Sequence, residues 1–90
     1  MTYNKKTGVF TNDKNEEIYL PLKVGKLLEI LIENEFATYD TLTTEIYNYT
    51  DYYATNTVKT MKCRLTKLTG LHVDTINQRG YILRDKVVMI

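Results

Sequence analysis

The 90-residue sequence has no tryptophan, one cysteine, one proline and one histidine, and these shortages remove whole classes of protein. A lone cysteine closes no internal disulfide, and one cysteine with one histidine is too small a set for a zinc site. No metal and no cofactor is therefore expected, and the thiol fits a reducing cytoplasm. No apolar run approaches the roughly 20 residues of a membrane span. The longest cluster, residues 27–32, is broken by Glu29. The opening MTYNKKTGVF lacks the apolar stretch of a secretory signal. The chemistry of catalysis is missing too. No nucleophile–histidine–carboxylate set, paired-carboxylate signature or phosphate-cradling glycine loop appears, so no catalytic residue is assigned and no enzyme is expected.

What is present suits one α+β domain spanning residues 1–90, with 43% hydrophobic and 26% charged residues. Residues 1–7 are polar and read as loose. Residues 8–11 and 17–20 read as strands around the turn Asn12-Asp13-Lys14-Asn15, so residues 1–21 open with a hairpin. Pro21 suits a helix start. Val24, Leu27, Leu28 and Leu31 then give a helical stripe over 22–34, within which Gly25 implies close packing against a neighbour. Phe36-Ala37 either pairs as a short strand or plugs the core. Thr38 is a candidate N-cap for a second helix, 39–48, with Asp40 in its first turn and Tyr39, Leu42, Ile46 and Tyr49 as its stripe. After a loop at 50–54, Val58, Met61, Leu65 and Leu68 predict a third helix over 55–69, capped by Thr55 or Thr57 and stopped at Gly70, with Leu71 folding back. The three helices make a core over 22–69. Strands at 73–76 and 81–83, joined by Asn77-Gln78-Arg79-Gly80, make a second hairpin within 71–84. The tail 85–90 ends in an apolar strand that either pairs across a homodimer or closes the N-terminal sheet of its own chain.

Charge is polarised along this order. Residues 55–84 carry six lysines and arginines against Asp74 alone, net +5, whereas residues 1–54 are net −4, so a total of +1 hides a basic last third. A basic helix followed by a basic hairpin is the footprint of a nucleic-acid-binding face. Asn56, Lys59, Thr60 and Cys63 project from the half of the helix that would reach base edges in a major groove. Arg64 and Lys67 lie where they would grip phosphate, and Arg79 sits at the hairpin turn. His72 carries no assigned role.

The same residues resemble the winged-helix DNA-binding domain of OmpR/PhoB-type response regulators. That family's first helix reads roughly L-T-x-x-E-x-x-L-L-x-x-L-x-x-N, and Leu20, Leu27, Leu28, Leu31 and Asn34 fall at its places. Thr38, Leu42, Ile46 and Tyr47 match the capped second helix, with Tyr for Trp. Asn56-Thr57-Val58 and Arg64-Leu65-Thr66 match the recognition helix. Thr75-Ile76-Asn77-Gln78-Arg79-Gly80-Tyr81 matches the wing. The chain departs at Val24 (family Glu), at Lys62 (family aliphatic) and at Gln78 (first wing glycine), and its N-terminal sheet has room for two or three strands rather than four.

The resemblance implies a winged helix-turn-helix that binds double-stranded DNA and regulates transcription without the family's receiver domain. Helix 55–69 would enter the major groove and the wing at 73–83 would lie on its flank. It also implies that the loop 49–54 can touch RNA polymerase, and Tyr49, Tyr52 and Tyr53 supply aromatic side chains suited to such a protein contact. Two alternatives share the scaffold. One is a protein-interaction module, an adaptor or modulator of a host machine. The other is a DNA-replication or segregation protein.

Overall fold

The structure, a computed structural model, describes residues 1–48 and 52–90, without the side chain of residue 52. In chain order the elements are β1 (Thr2–Asn4), β2 (Val9–Thr11), β3 (Glu17–Tyr19), α1 (Leu22–Glu33), β4 (Ala37–Thr38), α2 (Tyr39–Tyr47), α3 (Tyr52–Thr69), β5 (Val73–Ile76), β6 (Gly80–Leu83) and β7 (Val88–Met89). The fold is α+β, with three helices and two small sheets among the described residues, a layout compatible with a winged helix. No helix among the described residues is long and apolar enough to cross a membrane.

α1 is the hub because it is apolar on more than one side. Val24, Leu27, Leu28 and Leu31 are buried as the periodicity requires, and so are Gly25 and Ile30. At about 100° per residue these six positions sweep well over half the helix circumference. α1 can therefore pack against α2 and α3 on one side and strands β6 and β7 on another. Pro21 stands one residue before the first helical turn, where a missing N–H is harmless. Gly25 is there for space: a Cβ would lie 2.2 Å from the Tyr3 hydroxyl, so the absent side chain lets β1 lie directly on the helix. Burial, and then the carboxylate of Glu29, push the Tyr3 phenol above its ordinary pKa.

Residues 1–7 are therefore not loose. β1 pairs antiparallel with β2 and parallel with β7, giving a four-stranded sheet in the order β3-β2-β1-β7. One buried aromatic, Tyr3, between two polar residues is too short a pattern to announce a strand, yet it anchors this sheet. The tail takes the second of its two expected places: Val88 N–H donates to the Met1 carbonyl (3.0 Å), closing the sheet within the chain.

The second sheet has the order β4-β6-β5. Ala37, fully buried, pairs with Tyr81, and Thr38 with Gly80. Thr38 then caps α2 as expected, its Oγ1 accepting the Thr41 N–H at 3.1 Å. α2 ends at Asn48 in the left-handed conformation (φ 64°), which Asn tolerates better than most residues. Its stripe is borne out at Tyr39, Leu42 and Ile46, which pack against the core, and is joined by buried Thr43, whose hydroxyl donates to the Tyr39 carbonyl. Tyr49, expected on that stripe, lies outside the described residues.

α3 ends at Thr69 as expected but departs from expectation at its start and at one stripe position. It begins at Tyr52, so Thr55 and Thr57 lie inside it rather than capping it. The Thr57 hydroxyl donates back to the Tyr53 carbonyl (2.8 Å), a bond made within a helix. The cause of the early start is Ala54, only 3% exposed, which sits one turn before Val58 and extends the buried stripe to Ala54, Val58, Met61 and Leu65. Leu68, expected on that stripe, is 43% exposed, and Leu71 beyond Gly70 takes the buried place instead. Gly70 adopts φ +73° and its N–H donates to the Thr66 carbonyl, the left-handed stop the sequence implies.

Candidate nucleic-acid interface

With Ala54, Val58, Met61 and Leu65 against the core, the other half of α3 faces outward. At about 100° per residue, Asn56 and Cys63 fall nearest the outward pole. Lys59 and Lys62 lie on one flank and Thr60, Lys67 and Arg64 on the other. The basic residues thus do not form one strip. They line two flanks with an uncharged line between them. Asn56, Lys59, Thr60, Cys63, Arg64 and Lys67 are all exposed, and Lys62 is half-buried.

Among the described residues, Lys59, Lys62, Arg64, Lys67 and Arg79 make no ion pair with a carboxylate. The sixth cation of this segment, Arg84, is neutralised: its Nε donates to Asp74 Oδ2 at 2.7 Å across the hairpin strands. His72 is exposed, with Nδ1 3.4 Å from Asp85 Oδ2, and Asp85 also accepts the His72 backbone N–H, pinning the hairpin base.

The hairpin is tied down rather than projecting. Arg79 N–H donates to the Ile76 carbonyl (2.9 Å) across a turn whose central residues, Asn77 and Gln78, both have positive φ (49° and 54°). Such a turn suits the twist of a tight hairpin. Gln78 occupies a left-handed position that favours glycine (φ 54°). The Arg79 carbonyl accepts the Tyr39 N–H at 2.9 Å, so the turn is bonded to the first residue of α2. Gly80 makes this approach possible, because a Cβ there would lie 2.2 Å from the Ala37 carbonyl oxygen. Arg79 itself is exposed and shares a shallow hollow with Thr38, Tyr39 and Asp40. The sequence places Arg79 at the turn of the wing. The structure keeps it at the turn but beside α2, near an acidic side chain.

Between α3 and the hairpin lies a larger hollow of about 490 Å³, lined by Tyr39, Lys59, Lys62, Cys63, Thr75, Gln78 and Tyr81. Tyr39 and Tyr81 meet edge to face, with centroids 5.3 Å apart and planes at 89°. The Lys59 ammonium stands 5.4 Å from the Tyr39 ring centre and the Lys62 ammonium 5.9 Å from that of Tyr81, within cation–π range. Burial first, and then Tyr39 beside it, push the Tyr81 phenol far above its ordinary pKa, so the ring stays neutral. Lys62, Thr75, Gln78, Tyr39 and Tyr81 were not assigned to the site from sequence. The signal for Lys62 was its spacing of three from Lys59, which puts both on one flank. The hairpin residues carried no such signal, because their place beside α3 depends on β6 pairing with β4.

Of the expected protein-contact residues, Tyr53 is 78% exposed near the start of α3. Tyr49 and the side chain of Tyr52 lie outside the described residues. Comparison with known proteins finds no family model that matches this chain, and no curated sequence matches it.

Proposed function

We propose that this chain is a sequence-specific double-stranded DNA-binding regulator of transcription, of the winged-helix kind found in OmpR/PhoB-type regulators. The observation that carries the reading is the set of five cations without carboxylate partners among the described residues, spread over both flanks of the exposed half of α3 and the hairpin turn. A helix about 10–12 Å across fills a major groove about 12 Å wide. Flanks of opposite side then face the two sugar–phosphate walls, and the central line faces base edges. In this pose Lys59 and Lys62 meet one wall and Arg64 and Lys67 the other. Asn56 and Cys63 lie toward the bases, with Thr60 at the border of that line. Asparagine has the donor and acceptor to read adenine, and Arg79 adds charge at the flank of the groove.

The test is duplex binding as a function of salt. If each of the five cations contributes one charge to counterion release, the log–log slope is about −4.5, which is roughly a 500-fold loss between 50 and 200 mM salt. Retention that ignores salt, or no retention of a mixed-sequence duplex at 50 mM, rejects the reading in favour of a protein-interaction module. The exposed Tyr53 ring gives that alternative a contact point. Selection of bound fragments from source DNA then separates a promoter-proximal regulator from a replication or segregation protein.

A further inference from the structure

We infer that the hollow between α3 and the hairpin is a seat for one phosphate group, held by Lys59 and Lys62 from the helix and by Thr75 and Gln78 from the hairpin. Under the DNA reading, on which this identification of the ligand rests, the occupant is a single backbone phosphodiester. It fixes the register of the helix in the groove.

Four observations carry it. The hollow, about 490 Å³, is roomy for a phosphate, and its lining contains two ammonium groups and no carboxylate among the described residues. Thr75 brings a hydroxyl donor and Gln78 an amide donor from a separate element, so the donors converge from two directions. Both lysines are already gathered over aromatic rings, at 5.4 and 5.9 Å, so less side-chain freedom is lost when an anion arrives. The turn that supplies Gln78 is bonded through Arg79 to α2 and cannot swing away. The acids adjacent in sequence to its lining residues are engaged elsewhere: Asp74, next to Thr75, is paired with Arg84, and Asp40, next to Tyr39, lines the neighbouring hollow with Arg79. Lys62, set where the related wing proteins keep an aliphatic residue, becomes a contact residue rather than an error in a core stripe.

The experiment has two arms on the whole chain. In the first, a mixed-sequence 20-base-pair duplex is titrated across 50–200 mM salt with wild type, Lys62→Ala, Lys62→Arg, Thr75→Val and Arg64→Ala. Lys62→Ala is expected to make the slope shallower by about 0.9, and Lys62→Arg to restore it. Thr75→Val is expected to weaken binding to all duplexes alike with the slope unchanged, because it removes a neutral donor. Circular dichroism melts check that each variant is folded. In the second arm, inorganic phosphate is added to ¹⁵N-labelled protein without DNA. Saturable shifts confined to the amides of residues 59–63 and 75–79 are expected.

Salt-dependent duplex binding whose slope Lys62→Ala leaves unchanged overturns the seat and leaves the DNA reading standing. Localised phosphate shifts with no duplex binding keep the seat and sink the DNA reading. Shifts spread over every surface lysine overturn the seat outright.

Discussion

The four-stranded sheet rests on α1 through a side chain, whereas in the three-stranded sheet the β5–β6 hairpin meets β4 and the start of α2 through backbone. At the first junction, Gly25 opens space for the Tyr3 hydroxyl. At the second, Gly80 opens space for the Ala37 carbonyl and the Thr38 Cα. A phenol tip can shift or be trimmed by mutation, but a paired strand cannot. The first sheet is thus an adjustable prop under the hub helix. The second is a fixed part that sets how the hairpin stands beside α3, and so sets the shape of the hollow. Two glycines of similar crowding therefore differ in what they protect: Gly25 protects stability, and Gly80 protects both stability and the candidate site.

Substitutions at the two junctions test this contrast. Gly80→Ala has the largest expected effect. Its Cβ meets backbone at 2.2 Å, so β4 and β6 must separate, with the loss of ladder bonds and burial of about 3 kcal/mol or more. Chemical denaturation would show it, and a Gly80→Ala protein within 1 kcal/mol of wild type would refute the fixed junction. Gly25→Ala comes next. Overpacking by about 1–3 kcal/mol opposes a helix-propensity gain of roughly 1 kcal/mol, leaving a net loss of about 1 kcal/mol. In a Tyr3→Phe background the nearest atom becomes the ring carbon at 3.2 Å, and Gly25→Ala should be neutral or stabilising. Loss of the same size in both backgrounds would mean the hydroxyl is not what the glycine accommodates. The smallest effect on stability is expected for Lys59→Ala with Arg64→Ala, within about 0.5 kcal/mol, since both side chains are exposed. Duplex affinity at low salt should nonetheless fall at least tenfold and the salt slope become shallower by about 1.8. Unchanged affinity in this pair would remove α3 from the interface.

The parts legible in the sequence are those with long, strict periodicity or unambiguous punctuation. Val24, Leu27, Leu28 and Leu31 with Pro21 give α1, Gly70 gives the end of α3, and Thr38 gives the cap of α2. The start of α3 was hidden because alanine is at home inside or outside a protein, so Ala54 does not declare itself buried among tyrosines. β1 was hidden because three residues cannot establish a period of two, and with it went the parallel partner of β7. In the candidate site, the outward residues of α3 followed from helix geometry alone. The contribution of Thr75 and Gln78 did not, because it depends on strands distant in sequence meeting at Ala37 and Tyr81. The split of the basic residues onto two flanks was already implied by spacing, since Lys62 and Arg64, two apart, point about 200° from one another around a helix. Net charge alone concealed it.

The bond from the Tyr39 amide to the Arg79 carbonyl ties the turn to the second helix. Under the proposed DNA reading, a turn so braced would meet the duplex as a mould meets a cast. Little ordering has to be purchased at the moment of contact, and encounter is governed by diffusion and charge rather than by a closing motion. Any bending needed to improve the fit must then come from the other party.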